Sequence, residues 1–289
     1  VQVHSELSQF SSNLPLIILE NFRGGRPPQN GFQSGYMSII ESGENSRTTL
    51  VDLPKIQTRV GLKVRGSSTS GRPKPSLSLE ARDEYENEIG ISPLNLPRDS
   101  DWVLWGPYNF DLTLIHNPFI YELSNQIGRY APRTRFVEVF LNTGGGALRS
   151  DDYYGVYALT EKIKRDDDRV NVKKLFPEHD REPDVSGGYV LKVDRADPGD
   201  SGFSQGGQTM RYVYPKEEDI ERPERNSQEQ FVSDYFRAMG RALNGSDFKD
   251  PNEGYAKYID VDAAIDHHLL NVLAFNVDAL RLSGYMHLP

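Results

Sequence analysis

Two basic residues, Arg65 and Lys74, enclose a loop of glycine and hydroxyl residues with the sequence GSSTSGRP. The alternating run Val60–Val64 precedes this loop and a second alternating run, Ser76–Glu80, follows it, which predicts a strand–loop–strand unit. A loop of this composition can fold its backbone N–H groups around an anion such as phosphate, with cations beside it. The unit is therefore a candidate phosphate site, and an ordinary β-hairpin with a long polar loop remains the alternative.

The spacing of Gly66 and Gly71 is close to that of the Walker phosphate loop. The Walker motif continues with Lys and Ser or Thr and opens a helix. Here Arg72 and Pro73 stand at those positions and a strand is predicted to follow, so the sequence excludes a Walker loop.

Other catalytic patterns have little support. The chain has no cysteine, which excludes disulfides, thiolate catalysis and Cys-zinc sites. His267 and His268 are adjacent on a predicted helix and point in different directions, so they cannot bind one ion from one face. There is no GxSxG motif for a serine hydrolase, and nothing singles out a carboxylate pair for a glycosidase among the 42 acidic residues.

Phosphoryl transfer needs cations over the phosphates, a carboxylate that accepts the substrate proton, and ligands for Mg²⁺. Arg65, Lys74, Glu161 and Asp278 can supply these groups if the fold brings them together. Asp278 taken alone is equally well explained as a turn residue or helix cap.

The overall composition limits the classes of function that this chain can have. The chain has 289 residues with a net charge of −9 and a mean hydropathy of −0.60. This charge argues against general binding to nucleic acid or anionic membranes and fits a basic partner better. No apolar run reaches the length of a membrane span, and no signal peptide is visible. Because the chain begins at Val1 without a methionine, we expect a mature form or a piece of a longer protein.

The secondary-structure elements that must position these groups are predicted to be mostly strands in the first part of the chain and mostly helices in the last part. Strands are predicted from residues 14 to 20, 35 to 41, 135 to 141, 153 to 160 and 187 to 194, with a helix at residues 117–128 that Asn117 caps and Gly128 ends. Ile115, Phe119, Leu123 and Ile127 are predicted to form the core face of that helix.

Two helices are predicted in the last part of the chain. Their core faces are predicted to be Phe231, Tyr235, Phe236, Met239 and Leu243 in the first, and Val261, Ile265, Leu269 and Val272 in the second. This order predicts an α+β protein with two lobes: an antiparallel, β-rich N-terminal lobe over residues 1–195 and a mainly helical C-terminal lobe over residues 196–289.

Several short motifs, taken together and in order, resemble the spore-coat protein H (CotH) kinase family of atypical secreted or spore-associated protein kinases. The matching segments are Arg65-Gly66-Ser67-Ser68, Lys74-Pro75-Ser76, Asp101-Trp102, Gly106-Pro107-Tyr108, Asn117, residues 131 to 139, residues 155 to 163, Gly187-Gly188-Tyr189 and Asn276-Val277-Asp278. Each segment is short, but the ordered set covers about residues 55 to 285.

The resemblance implies a diverged protein-kinase-like fold, one continuous catalytic-type domain, that transfers the γ-phosphoryl group of ATP to Ser or Thr with Mg²⁺ or Mn²⁺. By position, Arg65 and Ser68 belong to the phosphate-covering loop, and Lys74 and Glu161 are the candidates for a phosphate-orienting ion pair. Asp278 would be the catalytic base, which orients the incoming hydroxyl. The metal ligands are unassigned, with Asn276 and Asp278 as candidates.

The resemblance also implies the partners and the location. The expected partners are ATP and a Ser- and Thr-rich protein substrate; from the net charge, we expect this substrate to be basic and expect no nucleic acid and no membrane as partners. The expected location is extracellular or at the surface of a spore or cell.

The sequence departs from the family pattern near its end. Relatives continue past Asn-x-Asp into a Trp-Asp-x-Asp segment whose first Asp is expected to hold the metal, and these 289 residues contain no such segment. Ser283 stands where many relatives have Asn, and His116 where many have Arg. We therefore expect a truncated C-terminal lobe and weak or absent phosphoryl transfer by this chain. The alternative function is a catalytically impaired structural or binding module of an extracellular or coat assembly.

Overall fold

The computed structural model of the protein describes residues 1–41, 46–108, 110–196, 200–279 and 281–289. The strands within them are β1 (Ser11–Ser12), β2 (Leu16–Asn21), β3 (Gln33–Ile40), β4 (Thr48–Thr49), β5 (Ile56–Arg65), β6 (Ser76–Arg82), β7 (Asp101–Trp105), β8 (Thr134–Asn142), β9 (Tyr153–Glu161), β10 (Tyr189–Val193), β11 (Gly202–Gln205), β12 (Gln208–Tyr214) and β13 (Gly284–Leu288). The α-helices are α1 (His116–Gln126), α2 (Glu217–Ile220), α3 (Asn226–Asn244) and α4 (Val261–Leu273).

The chain divides into two compact units. Unit 1 contains Val1–Gln126 and Ala131–Lys162, and unit 2 contains Ile127–Tyr130 and Ile163–Pro289. This division comes earlier than the boundary after residue 195 that composition predicted. The reason is that β10 pairs with β12 and β13, so this strand belongs with the last third of the chain.

Seven strands of unit 1 close into a barrel in the order β2-β3-β5-β6-β7-β9-β8. Neighbouring strands are antiparallel except β2 and β8, whose parallel pairing closes the barrel. The alternation of apolar and polar residues decides which side chains face inward, and in β6 Leu77, Leu79 and Ala81 are buried while their neighbours are half-exposed. Packed apolar side chains, including Val60, Trp102 and Val139, therefore fill the barrel interior.

Unit 2 is built on a four-stranded sheet in the order β11-β12-β10-β13. Helix α3 covers this sheet, and Tyr189, Leu191, Tyr212, Val232 and Phe236 form the centre of their shared core. Four-residue spacing on α3 and two-residue spacing on the strands bring these side chains to one layer.

The predicted fold class, two-lobed and kinase-like with a mainly helical C-terminal lobe, is wrong. Unit 1 holds a closed seven-stranded barrel, and residues 196–289 contribute β11, β12 and β13 as well as helices. Strands β11 and β12 were missed because the polar residues around their turn resemble a loop. The signal was a Gly206-Gly207 turn between Gln205 and Gln208; both glycines have positive φ, as a two-residue hairpin turn requires.

The helices were predicted with mixed success. In α3, Phe236 is buried and the other predicted core residues pack against it or beside it, except Leu243, which is 43% exposed. The predicted core faces of α1 and α4 are wrong, since Phe119 and Leu269 are each 59% exposed and Ile265 is 50% exposed. Periodicity identifies an apolar face but not a neighbour that covers it. In the described parts of the chain, no helix has the length and apolar character to cross a bilayer.

Candidate functional site

Lys74 lies two residues before β6, at one end of the barrel strands of unit 1, and is half-buried. Its Nζ donates a hydrogen bond to the carbonyl oxygen of Val156 and lies 4.6 Å from the centroid of the Tyr157 ring. Desolvation by burial lowers the pKa of Lys74, because water no longer stabilises the ammonium fully. Among the described residues Lys74 has no carboxylate partner, so this cation is available to an anionic ligand.

Segments that the family resemblance singled out converge on Lys74. The Tyr157 hydroxyl donates to the carbonyl oxygen of Pro75 at 3.0 Å, and the Gly106 N–H donates to Ser76 Oγ at 3.1 Å. Burial raises the pKa of Tyr157, which keeps its hydroxyl protonated as a donor. We call Lys74, Ser76, Gly106, Gly155 and Tyr157 the Lys74 cluster.

Glycines make the close packing of the Lys74 cluster possible. A Cβ atom on Gly106 would lie 2.4 Å from Tyr157 Cε1, well inside van der Waals contact. A Cβ on Gly155, whose φ is +85°, would lie 3.6 Å from Lys74 Nζ. The backbone of β9 therefore approaches the ammonium directly, without a side chain between them.

The loop between β5 and β6 is a series of tight turns, and the predicted strand–loop–strand unit is confirmed. Gly66 has a φ of +97°, and the Arg72 N–H donates to the Thr69 carbonyl oxygen at 3.1 Å. Arg65 ends β5 opposite Ser76, and Ser68 is exposed in the loop. Neither of these two side chains has a hydrogen-bond or ion-pair partner in the described residues, which leaves both available to a ligand.

Glu161 lies away from Lys74 and pairs with Arg133. The Arg133 Nη2 lies 2.8 Å from Glu161 Oε1, and the Arg133 backbone N–H donates to Oε2 at 2.9 Å. Lys74 contacts Val156, and Glu161 lies five residues further along β9, roughly 17 Å at 3.3 Å per residue. The structure therefore does not form the predicted Lys74–Glu161 ion pair.

Asn276 and Asp278 form a turn after α4, in unit 2. The Asp278 N–H donates to Asn276 Oδ1 at 3.1 Å, and Arg281 Nη2 lies 2.6 Å from Asp278 Oδ1. The Asn276 side-chain N–H donates to Asn271 Oδ1 at 2.8 Å. The Asn276 side chain is thus used within the turn, while Asp278 is half-exposed and keeps one carboxylate oxygen for other contacts.

No group of three or more metal-ligating side chains occurs among the described residues. Mg²⁺ in a nucleotide complex needs only one or two carboxylates, because phosphates and waters fill the remaining positions. Asp278 therefore fits a metal ion as one ligand of a nucleotide complex, and the residues described here do not form a metal site by themselves.

His116, named above as a departure from the expected motif, is the first residue of α1. Its Nδ1 lies 2.7 Å from Asp111 Oδ1, and its backbone N–H donates to Asp111 Oδ2 at 3.0 Å. Asp111 also accepts from Thr113 and Leu114. Asp111, rather than the predicted Asn117, therefore accepts from the first N–H of α1, that of His116, and from the turn before it. The signal was its Asp-x-Thr turn sequence.

Comparison with known proteins identifies the family. The model of the family described as "CotH kinase protein" matches residues 62–288, a range that includes Arg65, Lys74, Glu161 and Asp278. A search of curated proteins gave no match. The family match covers most of the chain and confirms the resemblance drawn from its motifs. The protein belongs to the CotH kinase family.

Proposed function

We propose that this protein is a CotH-type atypical protein kinase that transfers the γ-phosphoryl group of ATP to a Ser or Thr hydroxyl of a protein substrate. The observation that carries this proposal is Lys74: a half-buried ammonium, inside the family match, without a carboxylate partner in the described residues. Removing a charge from water is costly unless an opposite charge compensates for it. A nucleotide phosphate would provide that compensation.

The proposed reaction is a direct displacement at phosphorus. A bond forms between the substrate hydroxyl oxygen and the γ-phosphorus, the bond from this phosphorus to the β–γ bridging oxygen breaks, and ADP leaves. Asp278, by its place in the Asn-x-Asp motif, is the proposed acceptor of the hydroxyl proton. Arg65, Ser68 and Lys74 are the proposed phosphate-binding residues. When bound, Mg²⁺ or Mn²⁺ supplies further positive charge beside the phosphates.

Partner and location follow from the same proposal. The net charge of −9 favours a basic protein substrate, and the family suggests an extracellular or spore- or cell-surface location.

The test is incorporation of labelled phosphate from γ-labelled ATP, with MgCl₂ or MnCl₂, into the protein itself and into a basic, Ser-rich protein. We expect weak incorporation of phosphate, which Lys74→Met and Asp278→Ala each abolish. Asp247→Ala is the matched control, because Asp247 is also an exposed aspartate of unit 2 and its side chain has no hydrogen-bond or ion-pair partner in the described part of the chain. Robust incorporation that Asp278→Ala leaves untouched would contradict the assignment.

One observation favours a second function, a binding module without catalysis. Asp278 Oδ1 lies 2.6 Å from Arg281 Nη2, so the proposed base is already paired. Thermal unfolding with millimolar ATP and MnCl₂ separates the two functions, because a ligand that binds only the native state raises its apparent stability. No shift in Tm would favour the binding module.

A further inference from the structure

The loop between β2 and β3 contacts the loop between β5 and β6 within unit 1. Arg26 Nη2 donates to the carbonyl oxygens of Ser70 and Arg72, the latter at 2.8 Å. Gln29 Nε2 donates to the carbonyl oxygen of Gly66 at 3.1 Å. Residues 26 and 29 lie outside the matched range 62–288, so family membership assigns them no role.

The loop that carries Arg26 is itself held at its base. The Asn21 side chain, which is 5% exposed, donates to the carbonyl oxygens of Gly24 at 3.2 Å and Gly25 at 2.7 Å. The Gly25 N–H donates to the Thr143 carbonyl oxygen at 2.8 Å. A buried amide and a neighbouring strand end therefore fix the approach of the Arg26 backbone to the second loop.

Arg26 and Gln29 both donate to backbone carbonyl oxygens, and these contacts affect how the loop interacts with an anion. A carbonyl oxygen facing a phosphate repels it, whereas a backbone N–H attracts it. Arg26 and Gln29 occupy three carbonyl oxygens of the loop. Within the described part of the chain, the N–H groups of Ser68, Thr69 and Gly71 donate to no protein acceptor and stay available to an anion.

We propose that Arg26 and Gln29 are positioning residues that hold the loop at residues 66–73 in its phosphate-binding conformation and thereby set the affinity for ATP. This inference rests on the proposed function. Neither residue has to touch the nucleotide: each acts by fixing loop carbonyl groups, and Arg26 can fix two at once because its planar head carries several donors.

The test compares Arg26→Ala, Arg26→Lys and Gln29→Ala with Arg23→Ala. Arg23 is an exposed arginine of the same loop that makes no side-chain contact with the described residues, which makes it a matched control. The Kd of ATP with MnCl₂ and the Kd of adenosine are measured by calorimetry. Backbone hydrogen exchange over residues 67–74 is measured without ligand.

We expect Arg26→Ala to weaken ATP binding about tenfold, or about 1.4 kcal/mol, and to leave adenosine binding unchanged, because adenosine has no phosphate. Exchange at residues 67–74 should become faster. Arg26→Lys should recover part of the affinity, Gln29→Ala should show a smaller loss, and Arg23→Ala should match the wild type. In the kinase assay, KM for ATP should rise while kcat changes little.

Two outcomes would overturn the inference, and only one of them would also overturn the proposed kinase function. If the wild type binds ATP and Arg26→Ala binds it equally well, the positioning role is wrong and the proposed function stands. If the wild type binds no ATP, the proposed function fails and the role of Arg26 fails with it. If Arg26→Ala does not fold, ATP binding by Gln29→Ala tests the positioning role instead.

Discussion

The Arg133 guanidinium and the Glu161 carboxylate form a bidentate ion pair in which the Glu161 side chain has no exposed surface. Arg133 Nε lies 3.1 Å from Oε1 and 3.0 Å from Oε2, and the Arg133 backbone N–H supplies a further donor. Both carboxylate oxygens are thus satisfied at the end of β9. This arrangement makes Glu161 a structural partner of the segment before β8, distinct from the Lys74 cluster.

Glu161→Gln should therefore lower stability without weakening nucleotide binding. The substitution leaves the Arg133 guanidinium, whose side chain is 34% exposed, without its counter-charge and weakens hydrogen bonds to a charged group, which typically costs about 1.5–3 kcal/mol. Glu161→Gln should unfold at a lower urea concentration than the wild type. The control is Glu84→Gln, which should leave the midpoint unchanged, because Glu84 is an exposed glutamate of unit 1 without side-chain contacts in the described residues. A variant with an unchanged midpoint and no ATP binding would instead support a Lys74–Glu161 pair in the nucleotide complex.

Lys74→Met should abolish ATP binding and leave the ligand-free protein as stable as the wild type, or more stable. Desolvation of the ammonium is a cost in the folded state, which its contacts with Val156 and Tyr157 offset in part. Thermal unfolding with and without ATP measures both effects. The control is Lys63→Met, since Lys63 also lies over an aromatic ring, 5.0 Å from the Phe32 centroid.

The stability difference between Lys74→Met and the wild type should depend on pH. Because the pKa of Lys74 in the folded protein is below its ordinary 10.5, the cost of the charged form is fully present below that lowered pKa. The cost disappears as the pH rises from the lowered pKa through 10.5, where both states lose the proton. The stability difference between Lys74→Met and wild type should therefore shrink over this range. A difference that grows with pH would contradict the desolvation argument.

Local sequence patterns predicted six of the seven barrel strands, all except β7, but not the closure of the barrel. The alternation in β5 and β6 is visible in a few consecutive residues, and so is the strand–loop–strand unit between them. Closure depends on the parallel pairing of Ile17 with Val139, which are far apart in the chain and carry no local signal of each other. The predicted fold class was wrong because this long-range pairing was not predicted.

The candidate site shows the same limit. Motif order selected Lys74 and the segment containing Val156 and Tyr157 separately, but the contact between them depends on the register of β6, β7 and β9. The register also places Glu161 too far along β9 to reach Lys74. A one-dimensional motif can name site residues, whereas the pairing among them is decided by strand register.

Gly106→Ala should damage the Lys74 cluster by steric conflict. The added Cβ would lie 2.4 Å from Tyr157 Cε1, and the buried ring, which also contacts Lys74, has to move. Overpacking of this kind costs about 1–3 kcal/mol. Gly71→Ala is the control from the loop itself, because a Cβ there meets nothing within 4 Å. We expect a lower Tm and weaker ATP binding for Gly106→Ala, and near-wild-type values for Gly71→Ala; equal behaviour of the two would contradict the packing argument.

Asp111→Asn should weaken the start of α1 and change the response to acid. Burial alone would raise the pKa of Asp111, but hydrogen bonds from Thr113 and His116 outweigh burial and hold this pKa below its ordinary 3.8. Since the folded-state pKa is lowered, the stabilisation is present above pH 3.8 and is lost as the pH falls through the lowered value.

Urea unfolding of wild type and Asp111→Asn at neutral pH and below pH 3.8 tests this. The variant should lose about 1–2 kcal/mol at neutral pH, the range for a lost helix cap, and the gap to wild type should narrow in acid. Asn117→Ala should leave stability almost unchanged if Asp111 rather than Asn117 holds the helix start. A larger loss for Asn117→Ala than for Asp111→Asn would instead support Asn117 as the helix cap.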